Sequence, residues 1–206
     1  MRSYKNDILT TLRKVNDNAI TLKANKEQQI TNAEKSYKGA YLENMKKSIQ
    51  ESYTSDLYKL TNSAREYLNA TNKAMRKEVS DIATRTLSDS EISDIEFIQA
   101  YGIKKLQDNP VLLNMYLDKH AQSYPFKSLL ASEGINLDNV AIPINEMDNL
   151  FSSCEHYLTN IETNTGYAET LESALLLSDN NGALAINGEA IDSFTSAYNG
   201  EGASNE

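Results

Sequence analysis

The residues that could support nucleophilic catalysis or transition-metal binding are few. Cys154 is the single cysteine, and His120 and His156 are the two histidines. A cysteine beside a histidine can act as a nucleophile and its base, or as two ligands of one metal. Cys154 and His156 lie two residues apart, so on a helix their side chains point to different faces. The spacing therefore predicts a small buried hydrophobic residue at Cys154 and surface or partly buried polar groups at both histidines.

The sequence also contains one segment that resembles the start of a calcium-binding loop, Asp179-Asn180-Asn181-Gly182. Such a loop needs Gly at its sixth position and Glu at its twelfth, and here those positions hold Leu184 and Ala190. This pattern favours a turn that ends a helix. No GxxxxGK[ST], GxGxxG or GxSxG motif is present. We therefore expect a non-enzymatic protein without catalytic residues, cofactor, metal or small-molecule substrate.

The N-terminal part of the chain has the composition of a very long helix. No Pro occurs from Met1 to Asn109, and only Gly39 and Gly102 interrupt the segment. Pro costs about 3 kcal/mol and Gly about 1 kcal/mol inside a helix. Apolar residues recur from Ile8 to Ile82 at a mean step of about 3.7 residues, whereas a left-handed coiled coil requires 3.5. The prediction is an all-α chain led by a coiled-coil-like helix over 1–86, straight or slightly right-handed.

A helix of roughly 80 residues would span about 120 Å, which a small domain cannot cover. Its apolar stripe must therefore meet another subunit or fold back on itself, and Gly39 is the predicted hinge. The sequence alone leaves both arrangements open. The larger stripe residues, predicted to form this interface, are Ile8, Leu12, Val15, Leu22, Ile30, Tyr37, Tyr41, Met45, Ile49, Tyr53, Leu57, Leu60, Tyr67, Met75, Val79 and Ile82.

Residues 87–197 are predicted to form an acidic bundle of short helices. A capping box at Ser88 and Glu91 starts the second helix, which continues to Leu106, and the Asn109-Pro110 pair starts the third. The remaining predicted features are a short helix ending at Glu133-Gly134, a helix from about Asn145, a helix over 167–178, a short strand over 183–186 and a disordered tail over 198–206. The strand would allow one short β-hairpin near the C-terminus.

Charge divides the sequence into two unlike parts. The net charge of −9 combines +6 over residues 1–85 with −15 over 86–206, and no Lys or Arg follows Lys127. This asymmetry predicts a charged partner, or neutralisation of one half by the other between subunits. Acids are interspersed along the basic part, which favours a solvated helix face over nucleic-acid or membrane binding. One Cys excludes an internal disulfide, and we expect neither signal peptide nor membrane span.

The long Pro-free charged helix over 1–86, the absence of Trp, the single Cys and the Asn-, Lys- and Tyr-rich composition together resemble a known protein group. They are similar to helical structural proteins of tailed bacteriophages, such as capsid scaffolding or other head-associated proteins. The resemblance implies an oligomeric virion or head-assembly component, located in the virion or host cytoplasm. Its partners would be itself and other structural proteins. A helical protein-binding adaptor or a secreted effector-associated protein is the alternative.

Overall fold

A computed structural model describes residues 3–138, 140–163 and 183–199. Within these ranges the chain forms helices and no strand, which confirms the all-α prediction. The helices are α1 (Tyr4–Ser36), α2 (Gly39–Ala83), α3 (Asp89–Tyr101), α4 (Ile103–Gln107), α5 (Pro110–Lys119), α6 (Tyr124–Ser132), α7 (Ile144–Thr163) and α8 (Ala183–Tyr198).

The long N-terminal helix is interrupted at the predicted hinge. The N–H of Tyr37 donates to the carbonyl of Ala33 at 2.9 Å and closes the last turn of α1. Gly39 then has a φ of +60°, in the left-handed region where a side chain would be strained. The chain reverses here, and α1 and α2 form an antiparallel hairpin.

Contacts across the hairpin establish its register. Glu34 accepts a charged hydrogen bond from Lys46 at 2.8 Å, close to the turn. Farther along, the Lys26 ammonium lies 4.5 Å from the centre of the Tyr53 ring. Both pairs are centred in sequence on Gly39 and Ala40, as expected for two antiparallel helices joined there.

Helix α7 packs against α2 in the opposite direction. Arg65 binds Glu155 at 2.9 Å and Glu162 at 2.5 Å, and Thr61 donates to Glu162 as well. Within the described ranges, residues 3–72, 145–163 and 183–189 belong to one compact unit, which we call the hairpin unit. It thus contains α7, which the sequence analysis placed in the acidic bundle.

The other compact unit holds residues 73–138, 140–144 and 190–199, and we call it the α3–α6 unit. The predicted capping box is present, because Ser88 Oγ accepts from the Glu91 N–H at 3.3 Å while Glu91 Oε2 accepts from the Ser88 N–H at 2.6 Å. The predicted start of α5 is confirmed as well, with Asn109 as its N-cap. The buried core of this unit comprises Ile95, Ile98, Leu106, Tyr116, Phe126, Leu130 and Ile135.

Two local expectations were wrong. Gly102, at a φ of +97°, divides the predicted second helix into α3 and α4. The strand predicted over 183–186 is instead the first turn of α8. The Asn187-Gly188 pair that follows is helical as well, and Gly188 serves a close approach, since a Cβ there would lie 2.9 Å from Lys5 Cβ. Tyr198 is the buried last residue of α8, and the predictions for 167–182 and 200–206 lie outside the described residues.

Candidate interaction surface

Most of the predicted apolar stripe is buried within the chain. In the hairpin unit the buried members are Ile8, Leu12, Val15, Ile49, Tyr53 and Leu57, and in the α3–α6 unit they are Met75, Val79 and Ile82. The half-buried members are Leu22, Ile30, Met45 and Leu60, and the exposed members are Tyr37, Tyr41 and Tyr67. Any contact of the stripe with another protein is therefore limited to these last seven residues.

Several accessible members lie at the end of the hairpin, on residues 26–50, which we call the arm. Thr163, the last described residue of α7, lines a cavity with Gln50 and Tyr58. The part of α2 from Gly39 to Ile49 precedes this cavity and corresponds to about 16 Å of helix at 1.5 Å per residue. The arm therefore extends past the described part of α7 as a two-helix element.

Aromatic and basic side chains meet at the tip of the arm. The rings of Tyr37 and Tyr41 lie 4.8 Å apart at 60°, and the two residues are 39% and 58% exposed. Lys35 precedes the two tyrosines in sequence, Lys38 lies between them, and both lysines are exposed. Within the described part of the chain neither lysine forms an ion pair. The tip thus presents apolar ring surface together with hydroxyl and ammonium donors.

Outside the arm, basic residues of the hairpin unit are paired with carboxylates of the same chain. The hydrogen bond from Arg65 holds the pKa of Glu162 below its usual range, and the same pair raises the pKa of the guanidinium. Lys5 binds Glu189 at 2.6 Å. Carboxylates of the acidic half, Glu155 among them, therefore neutralise basic residues of α1 and α2 within one chain.

A groove between α1 and α2 contains two of the three accessible stripe residues outside the arm, Leu60 and Tyr67. Its volume is about 500 Å³, and its apolar lining includes Val15, Leu60, Ala64 and Tyr67. Polar residues of both helices, such as Lys14, form the rim. The groove is shallow and mixed in polarity, so we regard the arm as the stronger candidate for binding.

The residues considered for chemistry are placed apart. Cys154 is buried, and burial raises the pKa of its thiol to about 12, whereas His156 is exposed on another face of α7, as predicted. His120 is more buried than expected, because its Nε2 lies 2.6 Å from Asp94 Oδ2 and its ring packs 4.3 Å from Phe126. Among the described residues, no group of three or more His, Cys, Asp or Glu could hold a metal ion. No described helix is long and apolar enough to cross a bilayer.

Sequence reasoning missed a second exposed apolar surface, on α3 and α5. Phe97, Val111 and Met115 are 48%, 80% and 52% exposed. The sequence analysis assigned these helices to a bundle without separating their buried and exposed faces. The i, i+4 spacing of Val111 and Met115, offset by one residue from Leu112 and Tyr116, is the signal that could have indicated a second face.

We compared the chain with known proteins. No family model, curated protein or solved structure matches it.

Proposed function

We propose that this chain is a non-enzymatic assembly protein that binds an acidic surface of another protein through its arm. The observation that carries the proposal is the exposed Tyr37–Tyr41 pair at the end of an antiparallel hairpin. Tyrosine is enriched at protein interfaces because its ring buries apolar area while its hydroxyl keeps a polar partner. Two such residues in contact give a rigid anchor with little side-chain entropy to lose.

The charge of the arm supports an acidic partner. Residues 26–50 contain five Lys and three Glu. Lys46 is neutralised by Glu34, while Lys35 and Lys38 at the tip have no ion-pair partner in the described residues. Unpaired charges at the edge of an interface chiefly accelerate association and select partners of opposite sign.

The more specific hypothesis of a bacteriophage virion or head-assembly component stays a prediction. Finding this chain at fixed stoichiometry in purified virions would support it. The adaptor hypothesis predicts instead that the chain is absent from virions and forms a complex with one soluble protein. Both hypotheses use the same exposed arm, so the following experiment tests what they share.

The experiment compares three forms of the full chain as bait in cells of the source organism. The first is wild type, and the second carries Tyr37→Ser and Tyr41→Ser. The third is the matched control Tyr58→Ser, which removes a tyrosine of 59% exposure that lies on α2 outside the arm. Enriched proteins are quantified by mass spectrometry, and the leading partner is then purified for calorimetric titration.

We expect wild type and control to bind the purified partner equally and the double variant at least tenfold more weakly. Circular dichroism must show equal helix content for all three. If the double variant binds as well as wild type, or the control loses as much affinity as the double variant, the arm is not the binding site.

A further inference from the structure

A patch of exposed apolar side chains lies on α3 and α5, which contain no residue of the arm or of the predicted apolar stripe. The Phe97 ring is stacked on that of Tyr101, with ring centres 5.9 Å apart. Its centre also lies 6.0 Å from the centre of the Tyr116 ring. Met115 and Val111 occupy successive turns of α5 next to Tyr116, and both are more than half exposed. Large apolar side chains grouped in this way mark interaction sites more often than isolated ones do.

The two helices of the patch are antiparallel. Asp94, early in α3, binds Lys119 at the end of α5 at 2.6 Å, whereas Phe97, one turn later, lies against Tyr116, about one turn earlier in α5. The same register places Val111 near the C-terminal end of α3. The patch therefore runs along the helix axes, from Phe97 and Met115 towards Tyr101 and Val111.

Opposite charges lie at the two ends of this patch. Glu96 precedes Phe97 at one end, and Lys104 and Lys105 on α4 follow Tyr101 at the other. All three side chains belong to exposed residues, and none of them forms an ion pair with any residue that the structure describes. Along the axis of α3 and into α4, the order of these exposed residues is acidic, apolar and basic.

We propose that a second copy of this chain covers the patch in a two-fold symmetric dimer. A two-fold axis through the apolar centre places the acidic end of one copy against the basic end of the other. Glu96 then faces Lys104 and Lys105 of the second copy twice in the dimer, while Phe97 of each copy packs against the Tyr101 and Val111 end of the other. Such an isologous contact requires a surface complementary to itself, and an acid–apolar–base order satisfies that requirement.

The proposal is independent of the arm and goes beyond the function proposed above. The patch comprises only the side chains of Phe97, Tyr101, Val111 and Met115, too few to bury the roughly 800 Å² per partner of a standard interface. We therefore expect a reversible dimer whose affinity depends on the charged ends and falls with salt.

The test uses sedimentation velocity of the full chain over a micromolar concentration series. Wild type should shift with concentration from 23.0 kDa towards twice that mass. The Glu96→Lys variant places like charges at both ends of the contact and should stay monomeric. The Lys104→Glu, Lys105→Glu double variant should also stay monomeric. An equimolar mixture of the two variants should form a heterodimer, because all end contacts are then between opposite charges.

Two further variants test whether the dimer forms through this patch and not through another surface. Phe97→Ser should weaken the dimer at least tenfold. The control Ile92→Ser, which alters an exposed residue about 140° around α3 from Phe97, should not. The arm variant with Tyr37→Ser and Tyr41→Ser should dimerise as wild type does, so failure of the arm proposal leaves this one standing. A wild-type monomer at every concentration, or a variant mixture that does not associate, would overturn the proposal.

Discussion

Replacing Arg65 with Met tests how α7 is held on α2. The guanidinium makes two hydrogen bonds to Glu162, at 2.5 and 3.2 Å, and one to Glu155 at 2.9 Å. The side chain of Arg65 is 19% exposed and that of Glu162 is 24% exposed, whereas Glu155 is half exposed. Methionine keeps most of the apolar stem and removes only the charged fork, so the loss reports the ionic contact.

The expected loss can be worked out from these contacts. A hydrogen bond to a charged group contributes about 1.5–3 kcal/mol when partly buried, and an exposed ion pair about 0–1 kcal/mol. We assign most of the effect to Glu162 and little to Glu155, which gives a loss of about 2 kcal/mol in the free energy of unfolding. For a chain of this size, that loss corresponds to a fall in Tm of about 4–8 °C.

Acid should reduce the difference between the two proteins. Arg65 lowers the pKa of Glu162 in the folded state, so this carboxylate stabilises the fold above the usual glutamic acid pKa of about 4.3. Its contribution is lost as the pH falls through the lowered folded pKa. The gap in unfolding free energy should therefore be full at pH 7 and shrink progressively below about pH 4.

The assay is urea unfolding of wild type and variant, followed by circular dichroism at pH 7 and at a series of acidic values. The control is Lys59→Met, which removes an exposed pair with Asp56 at 3.1 Å and should change stability by less than about 0.5 kcal/mol. Equal effects of the two substitutions, or an Arg65→Met gap that does not depend on pH, would refute the reasoning.

Three further predictions concern single positions. Gly39→Ala should destabilise the chain by about 1 kcal/mol in urea unfolding because of its positive φ, and Gly39→Asn by less, since Asn tolerates this region better. Gly188→Ala should lower Tm measurably, because its Cβ would lie 3.2 Å from the Lys5 backbone, whereas Ser193→Ala on the exposed side of α8 should not. Cys154 should resist alkylation by iodoacetamide at pH 8 until urea unfolds the chain, because the buried thiol stays protonated; rapid native labelling would contradict its burial.

The sequence predicted the elements better than their packing. Helix starts at Ser88 and Pro110 and the position of the hinge at Gly39 followed from local rules, because caps and glycines act within a few residues. Gly188 could not be interpreted in this way, since its role depends on the approach of Lys5, far away in sequence. Periodicity identified the stripe, but which of its residues stay accessible depends on how the helices pack, which periodicity does not encode.

The charge pattern likewise predicted that the two halves pair but not how they pair. The basic and acidic halves predicted pairing between them, and the structure shows such pairs within one chain, for example Lys5 with Glu189. Composition cannot distinguish pairing within a chain from pairing between chains, because both satisfy the same charges. The exposed apolar patch around Phe97 was missed because a short helix in an α-bundle can bury more than one face. The sequence therefore did not show which apolar residues of α3 and α5 stay exposed.

The reversal at Gly39 is the central claim, because it leaves only seven residues of the predicted apolar stripe accessible, most of them on the arm or in the α1–α2 groove. Spin labels at Asn18 and Ser63, which line one groove of the hairpin, measure it by double electron–electron resonance. Helices packed side by side are about 8–10 Å apart, so the labels should give a distance below about 25 Å that persists on dilution with unlabelled protein. A continuous helix would instead separate these positions by about 68 Å. A distance near that value, or a short distance that dilution abolishes, would contradict the account.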